Sequence, residues 1–236
     1  MGTLASTLIT RTLDNLSRAG AGTTRSGTTL SATAITWLNK VMRDMSRKHD
    51  FKELQKRYTS ATVANQKVYS FPAAYKIIIE MRLIDGFSSR KLKRLLPQYF
   101  ASVIPYPENH TTGLPAWYIP WGHYFDLFKI PDDAYQLQLK TVDWPTVITA
   151  STGITTYDSN KDDIIVNGMT AEGFDYLQMY EDGALWRVKF KSELKEAIDL
   201  DESAPDYEPV GRGFEASGSG IYVGEYWNEP FTWRSM

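Results

Sequence analysis

The sequence predicts an α+β fold: a four-helix bundle made from N- and C-terminal helices, an antiparallel β lobe inserted between them, and an extended C-terminal arm. Three observations carry this prediction. Near both ends of the chain, apolar residues recur at the three- and four-residue spacing of a helix with one buried face. From Leu54 to Ile148 the period drops to two, and β-branched and aromatic runs are separated by turn residues. Beyond Glu202 neither period survives; glycine, proline, serine and acidic residues alternate with large aromatics. The bundle is therefore assigned to residues 1–50 and 158–202, the β lobe to 51–157 and the arm to 203–236.

The first helix runs from Thr3 to Ala19, with Leu4, Leu8, Ile9, Leu13 and Leu16 on one face. The small, polar stretch Gly20 to Gly27 breaks the pattern and reads as a loop. It lacks the Lys-Ser/Thr ending of a phosphate-binding loop, and no predicted strand precedes it. A second helix follows, with Thr29 or Ser31 as N-cap. Ile35, Leu38, Met42 and Met45 form its apolar stripe, widened by Trp37 and Val41, while Lys40, Arg43, Asp44, Arg47 and Lys48 occupy a basic side that reads as a solvated face, with nucleic-acid contact as the alternative.

The predicted strands are Tyr58 to Val63, Lys67 to Phe71, Ile77 to Ile84, Lys91 to Leu95, Ala116 to Pro120, Tyr124 to Ile130 and Tyr135 to Val142. Turns at Asn65-Gln66, Asp85-Gly86 and Pro131 to Asp133 imply antiparallel hairpins between neighbours. Pro97, Pro105, Pro107 and Pro115 make the intervening stretch irregular, with one helical turn over Gln98 to Val103. The basic run Arg90 to Arg94 could bind phosphate or an acidic partner, but its place in a predicted strand favours an exposed strand face.

A Thr/Ser/Gly-rich linker, Thr149 to Tyr157, leads to a third helix capped by Asp158 or Ser159 and running to about Tyr180. Its packed face is Ile164, Ile165, Gly168, Ala171, Phe174 and Leu177, and Gly183 is expected to break it. The fourth helix sets Trp186, Phe190, Leu194 and Ile198 at a spacing of four. The arm carries Tyr207, Phe214, Tyr222, Tyr226, Trp227, Phe231 and Trp233. A solubilising tail is poor in aromatics, whereas a segment that lies extended on another protein needs large anchors joined by free spacers. These seven residues are the candidate positions for binding another protein or a neighbouring subunit; the alternative is that the segment packs back on its own subunit.

At 236 residues and 42% hydrophobic, the chain can bury a core in one domain or two lobes. No stretch reaches the roughly 18 apolar residues of a membrane helix, and no charged-then-apolar signal segment opens the chain, so a soluble product of the cytoplasm is expected. The absence of cysteine excludes disulfides, thiolate nucleophiles and cysteine-ligated metals. His49, His110 and His123 lack metal-ligand spacing. Asp158, Asn160 and Asp162 match the start of a calcium loop, but Asp163 replaces its glycine and Met169 its closing glutamate, so helix capping accounts for them better. No Gly-x-Ser-x-Gly elbow occurs. No catalytic, cofactor-binding or metal-binding residue is assigned. Residues 1–100 carry 17 Lys/Arg against 6 Asp/Glu, and residues 101–236 carry 9 against 22. Either the two halves meet within the fold, or copies meet head to tail, or the split reflects only two differently solvated faces.

The order of segments resembles the head-to-tail adaptor family of tailed phages. The resemblance rests on the second helix AITWLNKVMRDM (34–45), the hairpin segment TVANQKVYSFP (62–72), the strand IIIEMRL (77–83) and the step LPQYF (96–100). GLPAWY (113–118), FKIPD (128–132) and YQLQLK (135–140) follow in the family's order, covering about residues 1–200. The glycine-rich loop and the arm beyond Asp201 fall outside it. The resemblance implies a non-enzymatic homododecameric ring in the tail or neck of a virion made in the host cytoplasm. Its helical bundle would bind the portal protein and its β lobe a tail or nozzle protein, beside ring neighbours. Genomic DNA would pass through the lumen without sequence recognition during ejection, and no membrane is involved. Two other readings stand beside it. One is a different tail-ring or baseplate component. The other is a carbohydrate-active enzyme stacking sugars on Trp117, Tyr118, Trp121 and Tyr124, with Asp126, Asp132 and Asp133 as its available acids.

Overall fold

The computed structural model describes residues 2–18, 20, 24–25, 28–86, 88–104 and 110–203. The expected arm, apart from Ser203, lies outside the described residues. Along the chain the elements are β1 (Gly2–Leu4), α1 (Ala5–Arg18), β2 (Thr24–Arg25), β3 (Thr28–Thr29), α2 (Leu30–Lys48), β4 (Gln55–Ala61), β5 (Val68–Ser70) and β6 (Tyr75–Asp85). They continue with β7 (Ser88–Lys91), β8 (Lys93–Arg94), α3 (Pro97–Val103), β9 (Trp117–Trp121), β10 (Tyr124–Phe128), β11 (Gln136–Asp143), β12 (Ile154–Asp158), α4 (Asp162–Tyr176) and α5 (Tyr180–Glu202). The fold is α+β, and the described chain divides into two units, residues 1–55 with 143–204 and residues 56–142.

In the first unit α4 is the central element. Ile164 to Ala171, Gly173 and Phe174 are all buried, because this helix has small or apolar residues on every side. The helices α1, α2 and α5 pack against it. Their approach is close: a Cβ at Gly168 would stand 2.8 Å from Val41 Cγ1 and 3.0 Å from Phe190 Cδ2. One at Gly173 would stand 2.8 Å from Leu16 Cδ1. On α5 the expected core face is only partly covered. Leu194 is buried, Trp186, Phe190 and Ile198 are half-buried, and Leu185, Val188 and Leu200 are exposed.

Three local expectations are corrected here. Gly183 does not break a helix; it lies within α5, where a Cβ would meet Asp175 Oδ1 at 2.6 Å. The break comes at Gln178, whose φ of 65° is left-handed, and there Met179 N–H donates to Phe174 C=O at 2.9 Å. Asp158 and Ser159 do not cap the helix through their side chains; α4 starts at Asp162, whose Oδ2 accepts from Thr3 Oγ1 at 2.6 Å. Finally, the expected linker holds β12, which pairs antiparallel with β1, Gly2 opposite Asp158 and Leu4 opposite Ile154.

That pairing also serves α1. A helix start leaves N–H groups without intrahelical partners, and those of Ala5 and Ser6 donate to the carbonyls of Gly153 and Ser151, both at 2.8 Å. Asn39 on α2 bonds Ile148 twice, donating to its C=O and accepting from its N–H, both at 2.8 Å. Tyr157 is fully buried; its hydroxyl donates to Met42 C=O at 3.0 Å, and its ring meets Phe51 edge-on at 5.7 Å. Burial pushes the Tyr157 phenol well above its ordinary pKa, with the nearby Glu53 carboxylate adding to the effect. The oppositely charged halves of the sequence meet within this unit: Arg11 pairs with Asp163 and Lys40 with Glu172.

The second unit holds two four-stranded sheets, in the orders β4-β11-β6-β7 and β5-β10-β9-β8. Both contribute to one cluster, with Met81, Leu83, Leu137 and Leu139 from the first and Tyr118, Phe125 and Leu127 from the second. On the other side of β9 and β10, Ile119 and Phe128 pack with Phe100 of α3. The expected all-antiparallel lobe needs correction, because β8 runs parallel to β9, Lys93 opposite Trp117. The single strand expected over Lys91 to Leu95 is divided. Leu92 N–H donates to Met81 C=O at 2.8 Å and Lys93 N–H to Ala116 C=O at 3.1 Å, so the chain changes sheets between β7 and β8. Among sequence neighbours here, the expected hairpin pairing holds for β6 with β7 and for β9 with β10.

The central position of α4 predicts that Phe174→Ala lowers unfolding free energy by about 3–5 kcal/mol. Gly168→Val is expected to cost about 1–3 kcal/mol through forced displacement of Val41 and Phe190. Denaturant titration measures both, and wild-type stability in either variant contradicts the packing described.

Candidate interaction surfaces

The seven aromatics proposed to meet a partner, Tyr207, Phe214, Tyr222, Tyr226, Trp227, Phe231 and Trp233, lie outside the described residues. The point from which they depart is described. Ser203 is the C-cap of α5, and the last turn of that helix is held to the end of α2 by His49. Its Nε2 lies 2.8 Å from Asp201 Oδ2, its Nδ1 3.8 Å from Glu202 Oε1, and its ring meets Phe51 edge-on at 4.7 Å.

Beside this clamp a groove of about 640 Å³ runs between α2, α4 and α5. Its floor is apolar: Val41, Gly168, Ala171, Phe190, Leu194 and Ile198. Its rim carries charge, and two of its acids already have partners, Asp44 in Arg47 and Glu172 in Lys40. Arg187 is engaged by Asp175. Lys48, Lys191 and Lys195 form no ion pair among the described residues, so the rim keeps a positive excess. Sequence periodicity missed this groove because it assigns an apolar stripe to the interior without revealing whether a neighbouring helix covers its full width.

In the second unit, the aromatics of the carbohydrate reading divide: Trp117, Trp121 and Tyr124 lie on one face of the β9-β10 hairpin and Tyr118 on the other. Tyr118 is buried against Phe125, and Trp117 stacks on Phe128 with centroids 5.6 Å apart. Trp121 and Tyr124 stand opposite each other at the exposed end of the β9-β10 hairpin. The carboxylates of that reading are engaged structurally. Asp126 lies 3.5 Å from Lys67, Asp132 accepts from the Tyr135 hydroxyl at 2.6 Å, and Asp133 accepts from Ala134 N–H at 2.7 Å. The hydrogen bond to Asp132 holds the Tyr135 proton, pushing its pKa up to about 12.

The basic run divides around a buried Leu92, leaving Arg90 and Lys91 exposed on β7 and Lys93 and Arg94 exposed on β8. Each strand is the edge of its sheet. Charge on an edge strand discourages a foreign strand from pairing with it. Deeper in the unit, Glu80 joins two strands. Its carboxylate accepts from Arg82 Nε at 2.6 Å and from Lys140 Nζ at 2.9 Å. Burial would raise the pKa of Glu80, but the two cations outweigh it and hold the carboxyl below its ordinary range. Among the described residues no helix is long and apolar enough to cross a membrane, and no group of three or more His, Asp or Glu is placed to hold a metal.

A family model described as SU10 adaptor protein matches residues 3–212 of the chain. No curated protein matches it.

The Glu80 cluster predicts an acid-sensitive contribution to stability. A carboxyl with a depressed folded pKa stabilises above its unfolded value of about 4.3, and that stabilisation disappears as pH falls through the folded value. Glu80→Gln should therefore cost about 1 kcal/mol at neutral pH and progressively less below pH 4. Paired unfolding curves measure this; an equal cost at neutral and strongly acidic pH contradicts the ionic account.

Proposed function

Because the chain belongs to the SU10 adaptor protein family of phage head-to-tail adaptors, we propose that it is a ring subunit joining the capsid portal to the tail. Membership makes it a structural component of the virion neck, associated with portal and tail proteins. The observation that carries the finer reading is the extent of the match, residues 3–212, which takes in the helices of the first unit, both sheets of the second and the start of the arm.

On this reading the subunit is made in the host cytoplasm and assembles as a homododecamer around the channel through which DNA leaves the head. α1, α2, α4 and α5 act as a four-helix bundle presented to the portal, and the β unit meets the tail or nozzle protein. Its function is its set of interfaces, with no residue assigned to catalysis. The arm supplies attachment, to the portal or to a neighbouring subunit of the ring, through Tyr207, Phe214, Tyr222, Tyr226, Trp227, Phe231 and Trp233. Fixing each residue of such a segment costs about 1–2 kcal/mol, so attachment through scattered anchors gains from repetition around a ring.

Co-expression with the portal encoded by the same phage, followed by affinity capture and electron microscopy, tests this reading. The expected result is a dodecameric ring seated on the portal. Deleting residues 203–236 is expected to leave the circular dichroism and melting transition of the remaining chain in place while abolishing capture. A full-length chain that neither forms rings nor co-purifies with the portal overturns the proposal.

A further inference from the structure

The groove between α2, α4 and α5 has a floor on which Phe190 and Ile198 are only half-buried and a rim with three lysines lacking ion-pair partners among the described residues. We propose that it receives residues 204–236 of a second copy of this chain, so that each arm closes the contact between ring neighbours. This rests on the ring reading above.

Three observations favour this occupant. The first is chemical: the arm combines Tyr207, Phe214, Tyr222, Tyr226, Trp227, Phe231 and Trp233 with five acids, Asp206, Glu208, Glu215, Glu225 and Glu229, against only Arg212 and Arg234. Aromatics suit the floor of Val41, Phe190, Leu194 and Ile198, and the acidic excess suits Lys48, Lys191 and Lys195. The second is reach: 33 residues at about 3.3 Å each span about 100 Å, enough to cross to an adjacent subunit and run the length of its groove. The third is the exit. His49 joins Asp201 and Glu202 to the end of α2 beside Lys48, Lys195 and Ile198, so the chain leaves at the groove's end. All the α5 residues that line the groove precede Glu202, so the helix ends heading away from its own groove, and entry there would require the chain to turn back.

The absence of cysteine makes the test direct. One full-length chain carries Lys195→Cys and a second, of different tag length, carries Glu215→Cys or Glu225→Cys; the two are mixed and oxidised. The expected product is a disulfide-linked heterodimer from at least one arm position. It should decline several-fold when the groove chain also carries Lys48→Glu and Lys191→Glu, with its melting temperature unchanged, and decline likewise at high salt. A third chain carrying Lys195→Cys and Glu225→Cys together reports entry into its own groove. Cross-linking within that chain, without any between chains, overturns the proposal. Rings seen in the mixture without the heterodimer overturn the groove assignment alone, while absence of both rings and heterodimer overturns it together with the ring reading. A heterodimer indifferent to charge reversal and salt also overturns it, since the lysine rim would then play no part.

Discussion

The first unit depends on the close approach of three helices to α4. A helix with an exposed face can tolerate one loosely packed neighbour, but α4 has buried residues all around its circumference. Full burial of side chains such as Ile165 and Phe174 contributes roughly 1.5–3 kcal/mol each, and only if neighbouring atoms fill the space. Gly168 and Gly173 permit this by letting Val41, Phe190, Leu16 and Trp37 come nearly to the helix backbone. The remaining devices hold those neighbours in place. β1 paired with β12 sets the start of α1, Asn39 ties α2 to Ile148, and Tyr157 joins β12 to Met42.

Coverage of α4 is uneven, and that unevenness connects packing with interaction. α1 and α2 bury their apolar stripes, whereas α5 leaves Phe190 and Ile198 half-covered along the groove. Ion pairs between helices neutralise much of the surrounding charge. What is left beside the groove is a small positive excess over an apolar floor, a combination suited to an acidic segment with aromatic anchors.

The β unit solves a different problem. Its two sheets bury one shared cluster, and the chain must pass from one to the other within the span of a few residues. Leu92 makes the passage by burying its side chain and bonding Met81, while the flanking Arg90, Lys91, Lys93 and Arg94 stay in water. The same residues therefore allow a sheet change and protect two edge strands. A basic run that resembles a binding motif in sequence has a structural account in the edges it occupies.

The sequence by itself determined the kind of element at most positions and the order in which they occur. Periodicity located α1, α2, α4 and α5, and the alternation of Leu137 and Leu139 with polar neighbours located β11, because each signal reports which face of a local element is apolar. The succession of motifs also indicated the adaptor family. Tertiary structure decided what depends on distant partners. β1 begins in what reads as the first helix and β12 lies in what reads as a linker, yet both exist as strands through each other, and the parallel pairing of β8 with β9 follows from a sheet change at Leu92. Gly183 read as a helix breaker because glycine is locally permissive, yet its place is set by Asp175 at contact distance, while Gln178 takes the left-handed turn. The seven aromatics of the arm are proposed as anchors from composition alone, and they lie outside the described residues. The groove was not legible in the sequence, since an apolar stripe in sequence states that a residue avoids water and leaves open which neighbour, in this chain or another, will cover it.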